Sequence, residues 1–341
     1  GNAAGIRHYF IEAFTPYANI TLLPELLKEI KYTYLLTGGP GTGKSTMIKL
    51  IGIQLIDRGY NIDYLRSIRE PDSVAGLLLP KQKICLLDEN EFVPQTICKE
   101  NHYREIDFTL FCRKSRLQQY QERIEELETS LKKTEEKIII ELRNDYSTEE
   151  DMPADLKHNR AKSIQTFLAM EKFFDYDEVG KDYPGLSEIT EILMKIKKNL
   201  LSFYFLHGLQ LDGWLNLAPR FLQDFDRICV DGEDSARILR DILQEVRCLG
   251  QVIEIIVHPL KPYTAIGIIF PEKNLAVWKG NPSKIEEQGF RRKHNTELTK
   301  ILEEYKIARV RLKNLINETV FFRGLDNLRG EILSSILTDL R

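Results

Sequence analysis

Residues 33–57 read TYLLTGGPGTGKSTMIKLIGIQLID: an apolar run, then Gly38-x-x-x-x-Gly43-Lys44-Ser45, then a stretch with apolar residues at Met47, Ile48, Ile51 and Leu55. The apolar run predicts a strand, the glycine-rich piece a loop, and the three- and four-residue spacing a helix. Glycine permits backbone angles and a close approach that a Cβ blocks, so consecutive N–H groups of such a loop turn toward one anion. The helix that follows adds its positive dipole end. The pattern is that of a phosphate-binding P-loop. In that reading Gly38, Gly39, Pro40, Gly41, Thr42 and Gly43 form the cradle, and Lys44, expected to be exposed in the loop, reaches the β- and γ-phosphates. Ser45 ligates Mg²⁺, and Thr46 with the loop amides holds the remaining phosphate oxygens.

Downstream, Gly59 ends the helix, Asn61–Arg66 predicts a second strand, and Lys83–Asp88 (KICLLD) a third that runs into Asp88-Glu89. An acid at the carboxyl end of an apolar strand is the expected companion of a P-loop. Asp88 would hold a Mg²⁺-bound water and Glu89 would orient an attacking water. No N/T-K-x-D sequence follows to read guanine, so ATP with Mg²⁺ is the expected ligand pair.

A second stretch of the chain repeats this one. Tyr9-Phe10 through Leu35 lies on Tyr204-Phe205 through Val230 without a gap, matching Leu22 to Leu217 and Pro24 to Pro219. Four residues then drop out within the loop, after which Ser45–Glu89 lies on Ala236–Gly280, matching Gly59 to Gly250, Pro71 to Pro262, Gly76 to Gly267 and Pro80 to Pro271. Turn-making residues coincide, as a shared chain path requires. Where the first copy has GGPGTGKST the second has GEDSAR, without a lysine and with acids that repel phosphate. Asp88 becomes Lys279, and Glu12-Ala-Phe-Thr-Pro16 becomes His207-Gly-Leu-Gln-Leu211. Features lost together are expected to share one site, which adds Thr15 to Lys44, Ser45 and Asp88, with Arg7 and His8 as further candidates.

Each copy leads into a helical segment with one apolar seam: Leu117, Tyr120, Ile124, Leu127, Leu131, Thr134 and Ile138 in the first, and Ile301, Tyr305, Ala308, Leu312, Leu315, Thr319 and Phe322 in the second. The seams are expected to pack on each other, on the helices at 161–174 and 186–200, or on a second subunit. A protein partner or self-association through these arms follows from that expectation. Residues 144–160 read as a polar loop. Forty-eight basic and fifty-one acidic side chains leave a charge of −3, which gives no global field for nucleic acid; Arg291-Arg292-Lys293 lacks the interleaved aromatics of a nucleic-acid contact. No apolar run reaches the roughly 18 residues that span a bilayer. Five cysteines without CxxC spacing, Cys85 and Cys229 among them in apolar runs, read as reduced core thiols and a cytoplasmic setting.

On RHYFIEAFTP (7–16), LTGGPGTGKST (36–46) and REPDSVAGLLLP (69–80), the chain resembles a family of uncharacterised P-loop ATP-binding proteins, known mainly from Firmicutes and built as two related halves. The resemblance covers most of the chain and implies ATP binding; it implies no settled reaction. Proteins of that kind tend to have glycine where Glu89 stands and a P-loop-like sequence where GEDSAR stands, which makes this chain a one-site member. The expectation is therefore an α/β protein with a P-loop NTPase-like parallel sheet, duplicated with a degenerate second copy, plus long helical appendages. Its parts are a nucleotide-binding unit (6–111), a helical segment (112–200), the degenerate repeat (201–281) and a C-terminal helical segment (282–341). Mg-dependent ATP hydrolysis coupled to rearrangement of the halves is the leading reading. A kinase with an acceptor near Thr15, Arg69 and Asp72 and a non-catalytic ATP-binding module are the alternatives; an arginine-rich lid over the phosphates would favour the kinase, and none is evident beside Arg113 and Arg116, which the helical segment explains as well.

Overall fold

The computed structural model describes residues 5–93, 102–146, 201–230, 250–262, 265–291 and 295–341. The protein is mixed α/β and divides into two compact units, neither contiguous in sequence: Gly1–His8, Leu27–Ile138 and Thr296–Arg341 form the first, Tyr9–Leu26 and Ile139–Asn295 the second.

The first unit is built on a six-stranded sheet in the order Ile6–Tyr9, Ile62–Arg66, Val74–Leu79, Ile84–Asp88, Tyr32–Thr37, His102–Asp107. Tyr32–Thr37 runs parallel to both Ile84–Asp88 and His102–Asp107. Val74–Leu79, a strand the sequence reading did not place, is antiparallel to both of its neighbours, so the sheet is mixed where a parallel one was expected. The cause is connection length: the links at 67–73 and 80–83 are too short for a crossover helix, and short links join antiparallel strands. Val74–Leu79 (VAGLLL) is buried along its whole length, hence its lack of alternation.

The helix Lys44–Asp57 follows the loop and buries Met47, Ile48, Ile51 and Leu55, the four apolar positions read from the spacing. The C-terminal helix Arg323–Asp339 lays Leu328, Ile332, Leu333 and Ile336 into the same core, together with Leu36, Leu77, Leu86 and Phe108. The arm helix Lys114–Tyr146 buries Ile124, Leu131 and Ile138, and the helix Thr296–Asn317 buries Ile301, Tyr305, Arg309, Leu312 and Ile316. Tyr120 and Tyr305 donate hydroxyl hydrogen bonds to Glu318 (3.1 Å) and Glu135 (2.6 Å), so within this unit the two seams meet. The second seam is shorter than expected. Its helix stops at Asn317, and Phe322 is 56% exposed ahead of the next helix. The seam candidates at 161–174 and 186–200, Arg292 and Lys293, and most of 144–160 lie outside the described residues.

The second unit has a five-stranded sheet in the order Leu201–Tyr204, Ile253–Val257, Ala265–Phe270, Leu275–Lys279, Asp226–Val230. Offsets of 195 residues before the loop and 191 after it carry the first five strands of the other sheet onto these in the same order. Gly59 and Gly250, matched in the sequence, both adopt left-handed backbone (φ 87° and 65°). The unit also contains two hairpins, Glu12–Phe14 with Asn19–Thr21 and His207–Gln210 with Gly213–Asn216, which the offset of 195 again relates. Cys229 is exposed on the edge strand of this sheet, which corrects its reading as a core thiol; Cys85 and Cys112 are buried and reduced. No helix among the described residues is long and apolar enough to cross a membrane.

Candidate functional site

Strand Tyr32–Thr37 ends at Thr37, and Gly38, Gly39, Gly41 and Gly43 all take positive φ (127°, 86°, 86° and 98°) before the helix begins at Lys44. Only glycine adopts that succession without strain, which is why the loop has this composition. The helix starts with no side-chain cap on its first N–H groups, and those groups have no partner within the helix. An uncapped, glycine-framed helix start carries partial positive charge.

Lys44 is buried, 2% exposed, and not the exposed loop lysine expected from the sequence. Its ammonium donates to the Gly39 carbonyl, contacts Thr42 Oγ1 at 3.4 Å and lies 3.4 Å from Asp88 Oδ1. Thr42 Oγ1 donates to the same carbonyl at 2.9 Å. Asp88, at the end of the neighbouring strand, also accepts the Asn90 N–H at 3.1 Å, and Asn90 Oδ1 accepts the Gly39 N–H at 3.0 Å. Burial raises the Asp88 carboxyl to about 6; Lys44 pulls it down and the nearby Glu91 pushes it up. Ser45 Oγ donates to the Val74 carbonyl (3.1 Å) and pairs with Ser73 Oγ (2.7 Å), so the segment before the antiparallel strand closes one side of the site. Pro40 is half-buried at the crest of the loop, and Thr46 is exposed on the helix. Glu89 is exposed at the start of a short 3-10 turn, Glu89–Glu91.

The helical segment of this unit lies directly on the loop. A Cβ on Gly41 would overlap the Lys313 carbonyl oxygen; one on Gly39 would lie 3.3 Å from Ile316 and one on Gly43 3.2 Å from Leu325. Asn317 Nδ2 donates to the Gly41 carbonyl at 3.0 Å. One turn and two turns before Asn317 on this helix, Lys313 and Arg309 enter an ion network. Lys313 pairs with Glu70, and Arg309 bridges Glu70 (3.3 Å) and Glu91 (2.7 Å). Glu91 also accepts from Ser67. Burial alone would raise Glu91, but Arg309, then Arg69, hold it down at about 2. Arg309 is raised, its burial outweighed by Glu91.

Lys44, Ser45 and Asp88 are thus within one small volume of the first unit, with the loop around them. Thr15 belongs to the second unit. It is fully buried there, and its hydroxyl serves its own turn, donating to Ala18 O (2.7 Å) and accepting from the N–H groups of Tyr17 (3.2 Å) and Ala18 (3.1 Å). Arg7 pairs with Asp63 at 2.8 Å, and His8 stacks on Tyr64 with ring centroids 5.1 Å apart. Arg69 donates to Glu135 at 2.8 Å and Arg113 lies over the Phe321 ring at 5.0 Å, which gives both a structural use. Residues 232–237 (GEDSAR) lie outside the described residues. Sequence reasoning missed Asn90, Ser73, Glu70, Arg309 and Lys313. Asn90 follows the quoted Asp88-Glu89, and Glu70 and Ser73 lie within the quoted REPDSVAGLLLP, whereas Arg309 and Lys313 are joined to Glu70 only by the fold, across more than 200 residues.

The chain matches no protein-family model, and no curated protein or solved structure matches it.

Proposed function

We propose that the first unit binds Mg·ATP at Gly38–Thr46 and is a P-loop NTPase whose C-terminal helices respond to the nucleotide. The observation that carries this reading is the conjunction of an uncapped, glycine-framed helix start with a buried lysine held 3.4 Å from the strand-end Asp88. The loop residues fit a triphosphate: four glycines at positive φ give a backbone without Cβ atoms, and Lys44 is the cation inside the loop. Ser45 and Asp88 are the residues that would hold Mg²⁺, with oxygen donors suited to a hard cation. Mg²⁺ when bound supplies charge neutralisation to the phosphates. The chain's own part is to orient the phosphates through amides, to place Lys44 on them once it leaves the Gly39 carbonyl, and to screen the site with the 309–317 turns. The resemblance to two-half P-loop ATP-binding proteins agrees with nucleotide binding at the first copy; the restriction to that copy rests on GEDSAR, where this chain departs from them.

A non-catalytic ATP-binding module has one observation in its favour. Asp88 is engaged by Lys44 and the Asn90 N–H, and Glu91 by Arg309 and Ser67, which leaves exposed Glu89 as the carboxylate near the strand end for a general base. Titration calorimetry with Mg·ATP on the whole chain and on Lys44→Ala tests the binding. Saturable binding that the substitution abolishes is expected; equal heats for the two proteins would end the P-loop reading. Phosphate release by wild type and Glu89→Gln then separates hydrolase from module.

A further inference from the structure

Phosphoryl groups in a P-loop carry more negative charge than one lysine neutralises, and Lys44 already faces Asp88. The helix that covers this loop, Thr296–Asn317, carries two further cations, Arg309 and Lys313, four residues apart and therefore on one face. Their surroundings differ. Arg309 is 5% exposed at its side chain and gripped by two carboxylates, one of them nearly buried, so it is an anchor. Lys313 is 31% exposed at its side chain, and its ionic partner Glu70 is 30% exposed.

The position of Lys313 is fixed from two sides. Its carbonyl oxygen touches Gly41, at the crest of the phosphate loop, and Asn317, one turn on, is hydrogen-bonded to the same glycine. Its ammonium lies on Glu70, three residues before Ser73, whose hydroxyl is 2.7 Å from Ser45 Oγ. Lys313 therefore spans the gap between the loop crest and the Ser45 side. In a P-loop, Ser45 is the Mg²⁺ position and the terminal phosphate lies beside it. A flexible ammonium on a four-carbon stem, partly solvated and paired with a partly solvated carboxylate, changes partners at less cost than a buried pair such as Arg309 and Glu91.

We propose that Lys313 is a second phosphate-contacting residue of the site, which leaves Glu70 for the terminal phosphate of a nucleoside triphosphate and so makes the helix Thr296–Asn317 report on the difference between tri- and diphosphate. This rests on the nucleotide reading given above. No bond is made or broken in the exchange: one ammonium trades a carboxylate for a phosphate oxygen, and Glu70 retains Arg309.

The test is titration calorimetry on the full chain with Mg·ADP and with Mg²⁺ and a non-hydrolysable ATP analogue, for wild type, Lys313→Met, Lys313→Arg and Glu70→Gln. Methionine keeps the apolar stem against the loop and removes the charge. Lys313→Met should weaken the triphosphate about tenfold or more, the scale of one charge-assisted hydrogen bond, and leave the diphosphate within about twofold. Lys313→Arg should recover most of the loss. Glu70→Gln should act in the opposite direction and tighten the triphosphate, since the competing carboxylate is gone. Thermal melts without nucleotide should place all three variants near wild type. Equal weakening of both nucleotides by Lys313→Met would mean that the residue only packs on the loop, and would overturn the proposal while leaving nucleotide binding intact. An unchanged ratio of the two affinities would do the same. A wild-type chain that binds neither nucleotide overturns the proposal together with the reading it rests on.

Discussion

Phe10 and Phe205 exchange both of their backbone hydrogen bonds, each N–H donating to the other's carbonyl at 2.8 Å. The two residues occupy the same place in the two repeated stretches, 195 residues apart, and their neighbours Tyr9 and Tyr204 stack with ring centroids 4.4 Å apart. Equivalent residues that meet each other define a local two-fold relation inside the second unit. Both phenyl rings are fully buried, and the Phe10 ring lies where a Cβ on Gly208 would be. Phe10→Ala and Phe205→Ala should therefore destabilise the unit by similar amounts, about 3–5 kcal/mol each. Gly208→Val should cost about 1–3 kcal/mol through overpacking against Phe10. Both tryptophans of the chain, Trp214 and Trp278, belong to this unit, so urea unfolding followed by tryptophan fluorescence reads it directly. A large loss from one phenylalanine with none from the other would contradict the local symmetry.

The repetition extends to strained backbone. Among the described residues the non-glycine positions with positive φ are Lys83 (62°) and Asn274 (51°), and they are 191 residues apart. Each sits just before a strand, Ile84–Asp88 or Leu275–Lys279. Asparagine tolerates the left-handed region better than lysine because its short side chain bonds locally. Lys83 is exposed, while its N–H and carbonyl hold the turn through Leu79 O (2.9 Å) and Lys31 N (2.7 Å). Lys83→Asn should stabilise the first unit by about 0.5–1 kcal/mol without altering nucleotide binding. A lower melting temperature for this variant would show that the lysine stem contributes contacts that outweigh the backbone strain.

The legible part of the fold was what periodicity and turn chemistry encode. The glycine pattern before Lys44 and the spacing of Met47, Ile48, Ile51 and Leu55 correspond to an observed loop and helix, and the offset read from Gly59, Gly76 and Pro80 also relates the observed strands. The strand Val74–Leu79 was not read at all, because VAGLLL is an apolar run without alternation, and its antiparallel direction follows only from the short links around it. At the site, Lys44, Ser45 and Asp88 carry a motif. Glu70 lies in a quoted stretch but without an assigned role, and Arg309 and Lys313 carry no motif, since a glutamate in a polar turn and two cations on a charged helix look like solvated surface until the fold brings them together. The state of Lys44 was illegible for a related reason: burial against Asp88 depends on two strands being neighbours, which no local pattern reports.

Burial of the Lys44–Asp88 pair changes what Lys44→Ala should do. Removing the ammonium should abolish the proposed nucleotide binding, and it also takes from Asp88 the cation that restrains its rise. A buried carboxylate without its partner is costly when charged and cheap when protonated. The folded-state value of Asp88, already raised to about 6, rises further, so the folded protein binds this proton more tightly than the unfolded chain. Stability from that proton is present below the unfolded carboxylate range and is lost as pH rises through the folded value. Lys44→Ala should therefore melt well below wild type at pH 8 and approach it at pH 5. The double variant Lys44→Met/Asp88→Asn should recover stability at pH 8 and still bind no nucleotide. A single variant with the same deficit at both pH values would mean that the pair is not buried as described.

His207 gives the second unit a pH dependence of the opposite sign. The ring is fully buried, 4.4 Å from the Phe290 ring and 6.3 Å from that of Trp278, between centroids. On its other approach stands His258, with Nδ1 accepting the Leu260 N–H at 3.1 Å and Nε2 2.7 Å from the Gln288 carbonyl. Burial first, and His258 second, lower His207 to about 3, against a small upward pull from Asn216. The folded state thus resists a proton that the unfolded chain takes up near the ordinary histidine value of about 6.5. Stability from this residue is complete above about 6.5 and declines as pH falls toward the folded value, by at most about 1.4 kcal/mol per pH unit. His207→Phe keeps a ring of similar shape among the aromatics and removes the titration. Urea midpoints followed by tryptophan fluorescence should fall for wild type between pH 7 and pH 4.5 and stay nearly level for His207→Phe over the same interval. Parallel pH profiles for the two proteins would assign the acid sensitivity of this unit to its carboxylates instead.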